Sequence, residues 1–242
     1  MKSIFVDNEG VAIHVLESGT PKVGVPSLLV IGGIWEPAER AIPIHNLELH
    51  VVSFSFRGRG LSSTPEHGYD LDEHLSDIRR VVKACNLDDY CVLGFSRGAA
   101  YALGWYMKKE TQISGLILVD QAPIHRKIPH ESLDFWCNMV YQGVPVANMM
   151  RATAFRGLST DSIEHDFTSE LALIECPVRL FVGTSAQSKM PSGLNADTRE
   201  LYSEKVKNIS FVEFGNSGHM IPDEETDKYL EEIERFIETL RW

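Results

Sequence analysis

Short apolar runs alternate with stretches of helical hydrophobic spacing along most of this chain. Residues 3–7 and 11–16 flank an Asn-Glu-Gly turn and predict a β-hairpin. The later apolar runs lack period-two alternation, which is typical of strands in a parallel sheet that helices cover on both faces. These runs predict further strands at residues 27–31, 50–56, 90–93, 114–120, 177–183 and 209–214.

Helical periodicity is clearest in two stretches. Residues 71–85 place their apolar side chains on one face, and so do residues 223–240, where Pro222 and an acidic first turn mark the start of the predicted helix. Residues 123–165 show no strand pattern and are rich in aromatic residues and methionine. They predict a small helical insertion between two parts of one core, residues 1–122 and 166–242.

One pentapeptide carries the strongest chemical signal. Gly94-Phe95-Ser96-Arg97-Gly98 lies between the predicted strand at 90–93 and a predicted helix over 99–109. A Gly-x-Ser-x-Gly sequence between a strand and a helix is typical of a nucleophile elbow, a sharp turn that exposes the serine hydroxyl above the sheet. Ser96 is therefore the candidate nucleophile, and it needs a neighbouring general base because a serine hydroxyl is a weak nucleophile.

Composition and charge narrow the set of partners. The chain has 242 residues and a formal net charge of −11, which argues against nucleic acid or an anionic membrane, because phosphate binding needs clustered Lys and Arg. Its four cysteines form no CxxC pair, so neither a disulfide framework nor a zinc site is predicted. No signal-peptide pattern is present. We expect a cytoplasmic protein that acts on a small molecule without a metal or other cofactor.

The order of the motifs adds specificity. Gly32-Gly33-Ile34 follows the strand at 27–31, and Arg57-Gly58-Arg59-Gly60-Leu61-Ser62 follows the next strand. The Ser96 elbow comes after them, and Gly215-Asn216-Ser217-Gly218-His219-Met220 precedes the last helix. This order resembles that of the α/β-hydrolase superfamily over essentially the whole chain. The resemblance implies a mostly parallel sheet with helices on both faces and a small helical cap at residues 123–165.

The resemblance also implies roles for single residues. His219 would be the general base, and the backbone N–H groups of Ile34 and Arg97 would form the oxyanion hole. Trp35, beside the oxyanion loop, is the candidate for contact with substrate. The Arg97 side chain has two interpretations, a contact with an acidic substrate group or a place on the helix surface. Gly32 departs from the pattern, because many members of the family have His there.

The acidic member of the triad is the weakest match. Many members have Asp shortly after the strand here predicted at 177–183, but this chain has no carboxylate between Gly183 and Ser188. Some members place the acid at the end of the preceding strand, which predicts Asp120. Asp197 and Glu213 are rival candidates, and a triad without a strong acid is a further alternative.

These residues predict a serine hydrolase that cleaves a small ester, lactone or related acyl compound through Ser96, His219 and Asp120. Two alternatives stay open: a carbon–carbon hydrolase or lyase on the same fold, and a ligand-sensing protein that resembles the family. Relatives with an aspartate nucleophile, such as dehalogenases and epoxide hydrolases, are excluded because the elbow carries Ser96.

Overall fold

A computed structural model describes residues 1–241 of the chain. Trp242, the last residue of the predicted core segment 166–242, lies outside the described residues. The strands of the described part are β1 (Lys2–Asn8), β2 (Val11–Ser18), β3 (Ser27–Ile31), β4 (Val51–Phe54), β5 (Asp89–Phe95), β6 (Gln112–Val119), β7 (Ile124–His125), β8 (Val140–Tyr141), β9 (Val144–Pro145), β10 (His165–Asp166), β11 (Val178–Gly183) and β12 (Ile209–Phe214).

Eight of these strands form one sheet in the order β1-β2-β4-β3-β5-β6-β11-β12. Strand β2 pairs antiparallel with β1 and β4, whereas every pairing from β4 to β12 is parallel. The prediction of a mostly parallel sheet is therefore confirmed. The predicted hairpin is also present, and its turn residues Glu9 and Gly10 have φ of 54° and 89°, the sign that a two-residue type I′ turn requires.

Helices cover the sheet on both faces, and a separate apolar cluster lies under each face. None of the helices within residues 1–241 has the length and apolar character needed to cross a bilayer. The helices are α1 (Ile42–His45), α2 (Leu71–Ala84), α3 (Arg97–Lys108), α4 (Leu133–Asn138), α5 (Ala152–Thr160), α6 (Ala196–Lys205), α7 (Ile221–Glu224) and α8 (Thr226–Thr239).

The segment predicted as a cap contains both helices and strands. Residues 123–165 include α4 and α5, as expected of a helical insertion. They also include β8 paired with β9, and β7 paired with β10, which begins at the end of the segment. The expectation that this segment lacks strands is wrong, because pairings of two residues are too short to leave a period-two pattern in the sequence.

The C-terminal helix is broken where one continuous helix was expected. Helix α7 ends at Glu224 and α8 begins at Thr226, because Glu225 between them has φ −135° and ψ 54°. The break turns two carboxylates toward the loop that holds His219. Glu224 accepts a hydrogen bond from the backbone N–H of Gly218 at 2.7 Å, and Glu225 accepts one from the Ser217 hydroxyl at 2.7 Å.

Candidate active site

Ser96 lies at the turn between β5 and α3, with φ 53° and ψ −129°. The two glycines of the motif make this turn sterically feasible. A Cβ on Gly94 would lie 2.5 Å from the carbonyl oxygen of Gly98, and one on Gly98 would lie 2.3 Å from the carbonyl oxygen of Ile31. Both distances are far below a normal contact, so the close approach of α3 to the sheet requires glycine at both positions.

His219 lies between the serine and a carboxylate. Its Nε2 is 2.8 Å from Ser96 Oγ, and its Nδ1 is 2.8 Å from Asp120 Oδ2. The Phe95 ring lies against the imidazole, with the ring centroids 5.4 Å apart. The backbone N–H of His219 also donates to the carbonyl oxygen of Met190 at 2.7 Å, which fixes the loop. The ring can therefore accept a proton at Nε2 while Nδ1–H donates to the carboxylate.

Asp120 follows β6 and is completely buried, with φ 51°. Its Oδ2 accepts from His219 Nδ1 and from the backbone N–H of Gly193 at 2.7 Å. Its Oδ1 accepts from the Ser192 hydroxyl at 2.6 Å and from the backbone N–H of Gly183 at 3.1 Å. Four donors thus hold one buried carboxylate in the orientation that meets the imidazole.

The two rival acids lie elsewhere. Asp197 is exposed in the first turn of α6, and Glu213 is exposed on β12, where it accepts a hydrogen bond from Arg199. Neither carboxylate contacts His219. The structure therefore brings Asp120 to the histidine and leaves both rivals at the surface.

The loop after β3 forms a tight turn next to Ser96, in which the N–H of Glu36 donates to the carbonyl oxygen of Gly33 at 3.3 Å. Two buried side chains of opposite charge hold this turn: Glu36 accepts from the N–H of Gly33 at 2.9 Å, and Arg59 Nε donates to the carbonyl oxygen of Ile34 at 3.0 Å. Within residues 1–241, the N–H groups of Ile34 and Arg97 have no acceptor. Arg97 is the first residue of α3, whose N–H has no partner inside the helix.

Glu36 occupies the space beside Gly32, where the family resemblance led us to expect His. A Cβ on Gly32 would lie 3.0 Å from the Glu36 Cβ, so this version of the loop leaves little room for a larger residue. Glu36 is buried, and burial raises the pKa of its carboxyl group, while the charge of Arg40 at 3.4 Å acts in the opposite direction.

A cavity of about 40 Å³ adjoins Ser96 and His219. Trp35 lines it, is 4% exposed, and packs on Tyr141 from the predicted cap with ring centroids 5.3 Å apart. This volume is small beside the roughly 300–1,000 Å³ of typical small-molecule pockets. The other apolar lining residues are Ile34, Phe95, Trp136, Met190 and Met220.

Comparison with known proteins identifies the family. The model of a family described as having the alpha/beta hydrolase fold matches residues 27–211. The chain belongs to the α/β-hydrolase fold family. The matched part runs from the start of β3 into β12 and so includes the elbow, the Asp120 turn and all of the predicted cap.

Individual α/β-hydrolase relatives are distant. The N-formylmaleamate deformylase of Pseudomonas putida is 25% identical over 268 residues, covering 96% of this chain and 95% of that protein. The 2-(acetamidomethylene)succinate hydrolase of Mesorhizobium japonicum is 20% identical over 173 residues, covering 70% of this chain. The chain spans 62% of the length of that Mesorhizobium hydrolase. It spans between 36% and 55% of the length of three further curated relatives. An esterase of Exiguobacterium antarcticum superposes with a TM-score of 0.78 at 18% identity, covering 98% and 100% of the two chains.

The Arg97 side chain is buried in this α/β-hydrolase core, so the helix-surface interpretation is wrong. It is 9% exposed, its Nε donates to the Tyr101 hydroxyl at 2.9 Å, and its Nη2 donates to His125 Nε2 at 2.9 Å. Burial and the charge of Arg97 together lower the pKa of His125 to about 3, so the ring is neutral and can accept this hydrogen bond.

Several supporting residues of the site escape sequence reasoning. Ser192 and Gly193 reach Asp120 from the loop between β11 and α6, where the sequence carries no recognisable motif. Glu36 and Arg59 hold the turn after β3, although a charged residue in a loop normally indicates a solvated surface. The signal for Arg59 was its place inside the Arg-Gly-x-Gly-x-Ser sequence, but the motif alone does not indicate burial.

Proposed function

We propose that this chain is a serine hydrolase that cleaves a small ester, lactone or related acyl compound through a Ser96–His219–Asp120 triad. The observation that carries the proposal is the position of the His219 ring, with one nitrogen 2.8 Å from Ser96 Oγ and the other 2.8 Å from Asp120 Oδ2. The names of the similar proteins, an esterase and a deformylase among them, support transfer of an acyl group to water.

In the first half of the reaction, Ser96 Oγ attacks the acyl carbonyl carbon and His219 Nε2 takes the hydroxyl proton. Asp120 accepts from Nδ1–H throughout, so it orients the ring and stabilises the imidazolium without taking up the proton. The imidazolium then returns the proton to the leaving oxygen or nitrogen. The leaving group departs and the acyl group remains esterified to Ser96.

The second half of the reaction uses the same groups. His219 removes a proton from water, the resulting oxygen nucleophile attacks the acyl-enzyme, and the proton passes back to Ser96 Oγ as the acid product leaves. The tetrahedral intermediate of each half carries negative charge on the former carbonyl oxygen. We assign its stabilisation to the unpartnered N–H groups of Ile34 and Arg97, where one such donor contributes on the order of 3 kcal/mol.

We also propose that residues 123–165 act as the cap. Trp136 and Tyr141 from this segment lie at or beside the 40 Å³ cavity, so displacement of the segment would open the route to Ser96. The core boundaries at 1–122 and 166–242, Trp35 as a substrate contact and the cytoplasmic location stay predictions.

The test is fluorophosphonate labelling of the full chain followed by mass spectrometry, beside hydrolysis of 4-nitrophenyl acetate and butyrate. We expect label on Ser96 and loss of both signals in Ser96→Ala. Ser203→Ala, which removes an exposed hydroxyl on α6, is the matched control and should behave like the parent. Folded parent protein that takes no label and cleaves neither ester contradicts the proposal and favours the lyase or ligand-sensing alternatives.

A further inference from the structure

Two buried arginines of one loop differ in their partners. Arg57 is 4% exposed and forms ion pairs with two carboxylates: its Nε and Nη2 donate to Asp77 at 3.0 and 2.8 Å, and its Nη1 donates to Glu73 at 2.9 Å. Arg59 is 0% exposed and forms no ion pair within residues 1–241. The chain thus supplies carboxylates to one buried guanidinium and none to the other, two residues away.

Every partner of Arg59 is neutral. Its Nε donates to the carbonyl oxygen of Ile34, and its Nη1 donates to the carbonyl oxygen of Arg57 at 2.8 Å and to His74 Nε2 at 2.8 Å. Its Nη2 is buried and has no hydrogen-bond partner. An arginine in a native core normally has a paired carboxylate and satisfied donors, whereas Arg59 lacks an opposite charge and its Nη2 lacks an acceptor.

Arg97 is a second cation of the same kind. It is 9% exposed, forms no ion pair within the described chain, and donates only to Tyr101 and His125. The Tyr101 ring stacks on His74 with centroids 4.7 Å apart, and His74 in turn accepts from Arg59. Arg59, His74, Arg97, Tyr101 and His125 therefore form one contiguous group, which we call the arginine cluster.

The two histidines of the cluster carry no negative charge, so they do not neutralise Arg59 and Arg97. Burial lowers the pKa of both rings, and the charges of Arg59 and Arg97 lower the pKa of His74 and of His125 further, so both rings are neutral acceptors. The carbonyl oxygen of Asp70 accepts from His74 Nδ1 at 2.6 Å, which leaves Nε2 free to accept from Arg59. The cluster retains two positive charges in a chain whose net charge is −11.

The cluster adjoins the proposed oxyanion hole at two points. Arg97 directly follows Ser96, and Arg59 donates a hydrogen bond to the carbonyl oxygen of Ile34, which itself lines the cavity at Ser96. The predicted cap covers the cluster: the backbone of Met150 pairs antiparallel with that of Arg59, and His125 belongs to the cap segment. An anion held here would lie under the cap and close to the acyl group bound at Ser96.

We propose that Arg59 and Arg97 form a subsite for a carboxylate of the substrate, so that the preferred substrates are short acyl compounds bearing a free carboxylate. The proposal rests on the proposed function. The guanidinium fork matches a carboxylate in geometry and charge, and the buried Nη2 of Arg59 is a donor that the protein itself leaves unpaired. Binding such a substrate supplies the opposite charge that the cluster lacks.

The kinetic test compares two esters that differ in one group, ethyl hydrogen succinate and ethyl succinamate, in which a neutral carboxamide replaces the carboxylate. The malonate and glutarate homologues are included so that spacing does not decide the result. We expect the parent to favour the best acidic ester in kcat/KM by at least about tenfold, the effect of one charge-assisted hydrogen bond. Arg59→Met and Arg97→Met should each reduce this preference toward one.

The ratio of kcat/KM for the acidic ester to that for the neutral ester distinguishes a role of Arg59 in substrate recognition from a purely structural role. If Arg59 only holds the oxyanion turn, its loss lowers both rates equally and leaves the ratio unchanged, which overturns the proposal. Arg59→Lys keeps the charge and should retain part of the preference even if Arg59→Met is unstable. Arg151→Met is the control, because Arg151 is an exposed arginine of the cap that donates to the carbonyl oxygen of Gly60, and its loss should leave the ratio at the parent value.

A binding measurement tests the subsite without catalysis. Titration calorimetry of Ser96→Ala with malonate, succinate and glutarate should show saturable binding that succinamide does not share and that Arg59→Met abolishes. Equal cleavage of acidic and neutral esters by the parent, with no binding of any of these dianions, overturns the subsite and leaves the serine hydrolase intact. Folded parent protein that takes no fluorophosphonate label and cleaves no ester refutes the proposed function, while selective binding of the dianions would still support the anion site.

Discussion

Replacement of Asp120 by Asn tests the least expected member of the candidate triad. The substitution preserves shape but exchanges one carboxylate oxygen for an NH₂ group and removes the charge. If the amide nitrogen takes the place of Oδ2, it faces two donors, His219 Nδ1–H and the N–H of Gly193. His219 is then driven to the tautomer with its proton on Nε2, where it donates to Ser96 instead of accepting, and it no longer acts as a base.

The flipped amide avoids that tautomer at a different cost. Its nitrogen then takes the place of Oδ1 and faces the N–H of Gly183, while the Ser192 hydroxyl can rotate to accept. One backbone donor remains unpaired in either orientation, so the two compete. In the flipped form the imidazolium still loses its charged partner. A hydrogen bond to a charged group contributes about 1.5–3 kcal/mol, so this loss alone lowers the rate.

We therefore expect kcat to fall between about 10²-fold, from the lost charge, and about 10⁴-fold, from the wrong tautomer. The assay is steady-state hydrolysis of 4-nitrophenyl butyrate, with urea unfolding to exclude loss of the fold. Asp197→Asn, which changes an exposed carboxyl on α6, is the control and should retain parental kcat. A folded Asp120→Asn enzyme with kcat within twofold of the parent would refute the assignment.

Two further predictions concern the elbow and the response to acid. Gly98→Ala should destabilise the fold by at least about 3 kcal/mol in urea unfolding, because its Cβ would lie 2.3 Å from the carbonyl oxygen of Ile31. The control Gly215→Ala has no atom within 4 Å of its Cβ and should change the free energy of unfolding by no more than about 0.5 kcal/mol. Equal effects of the two substitutions would contradict the steric argument. Burial lowers the pKa of His45 from 6.5 to about 4, so the unfolded chain takes up the proton first as the pH falls. Stability that is present above pH 6.5 is therefore lost as the pH falls toward 4, and His45→Gln should reduce this loss by about 1.4 kcal/mol per pH unit. Parallel plots of the free energy of unfolding against pH for both proteins between pH 7 and 5 would refute this prediction.

Local patterns predicted the sheet better than the site. Each parallel strand is an apolar run between turns, and the flanking glycines mark Ser96 as part of an elbow. The strands and the position of Ser96 could therefore be predicted from the sequence. Asp120 required a choice among three carboxylates that only distance decides. Helix α6 was not predicted, because within it only Tyr202 is buried and no apolar face marks it. The burial of Arg59 depends on how the cap covers its loop, a contact between segments far apart in sequence.

The strain at the candidate triad shows how the sheet supports the chemistry. Ser96 and Asp120 end adjacent strands, and each has a positive φ, of 53° and 51°, which is unfavourable for residues other than glycine. Each is held by the next strand of the sheet: the N–H of Ser96 donates to the carbonyl oxygen of Val119 at 2.9 Å, and the N–H of Asp120 donates to that of Phe181 at 2.9 Å. The ladder of hydrogen bonds thus continues through both turns and holds each side chain above the sheet. Because most residues of β5, β6 and β11 are buried, relaxing either turn would disrupt core pairing. The contacts that stabilise the fold therefore also fix the distance between Ser96 and Asp120, which His219 spans.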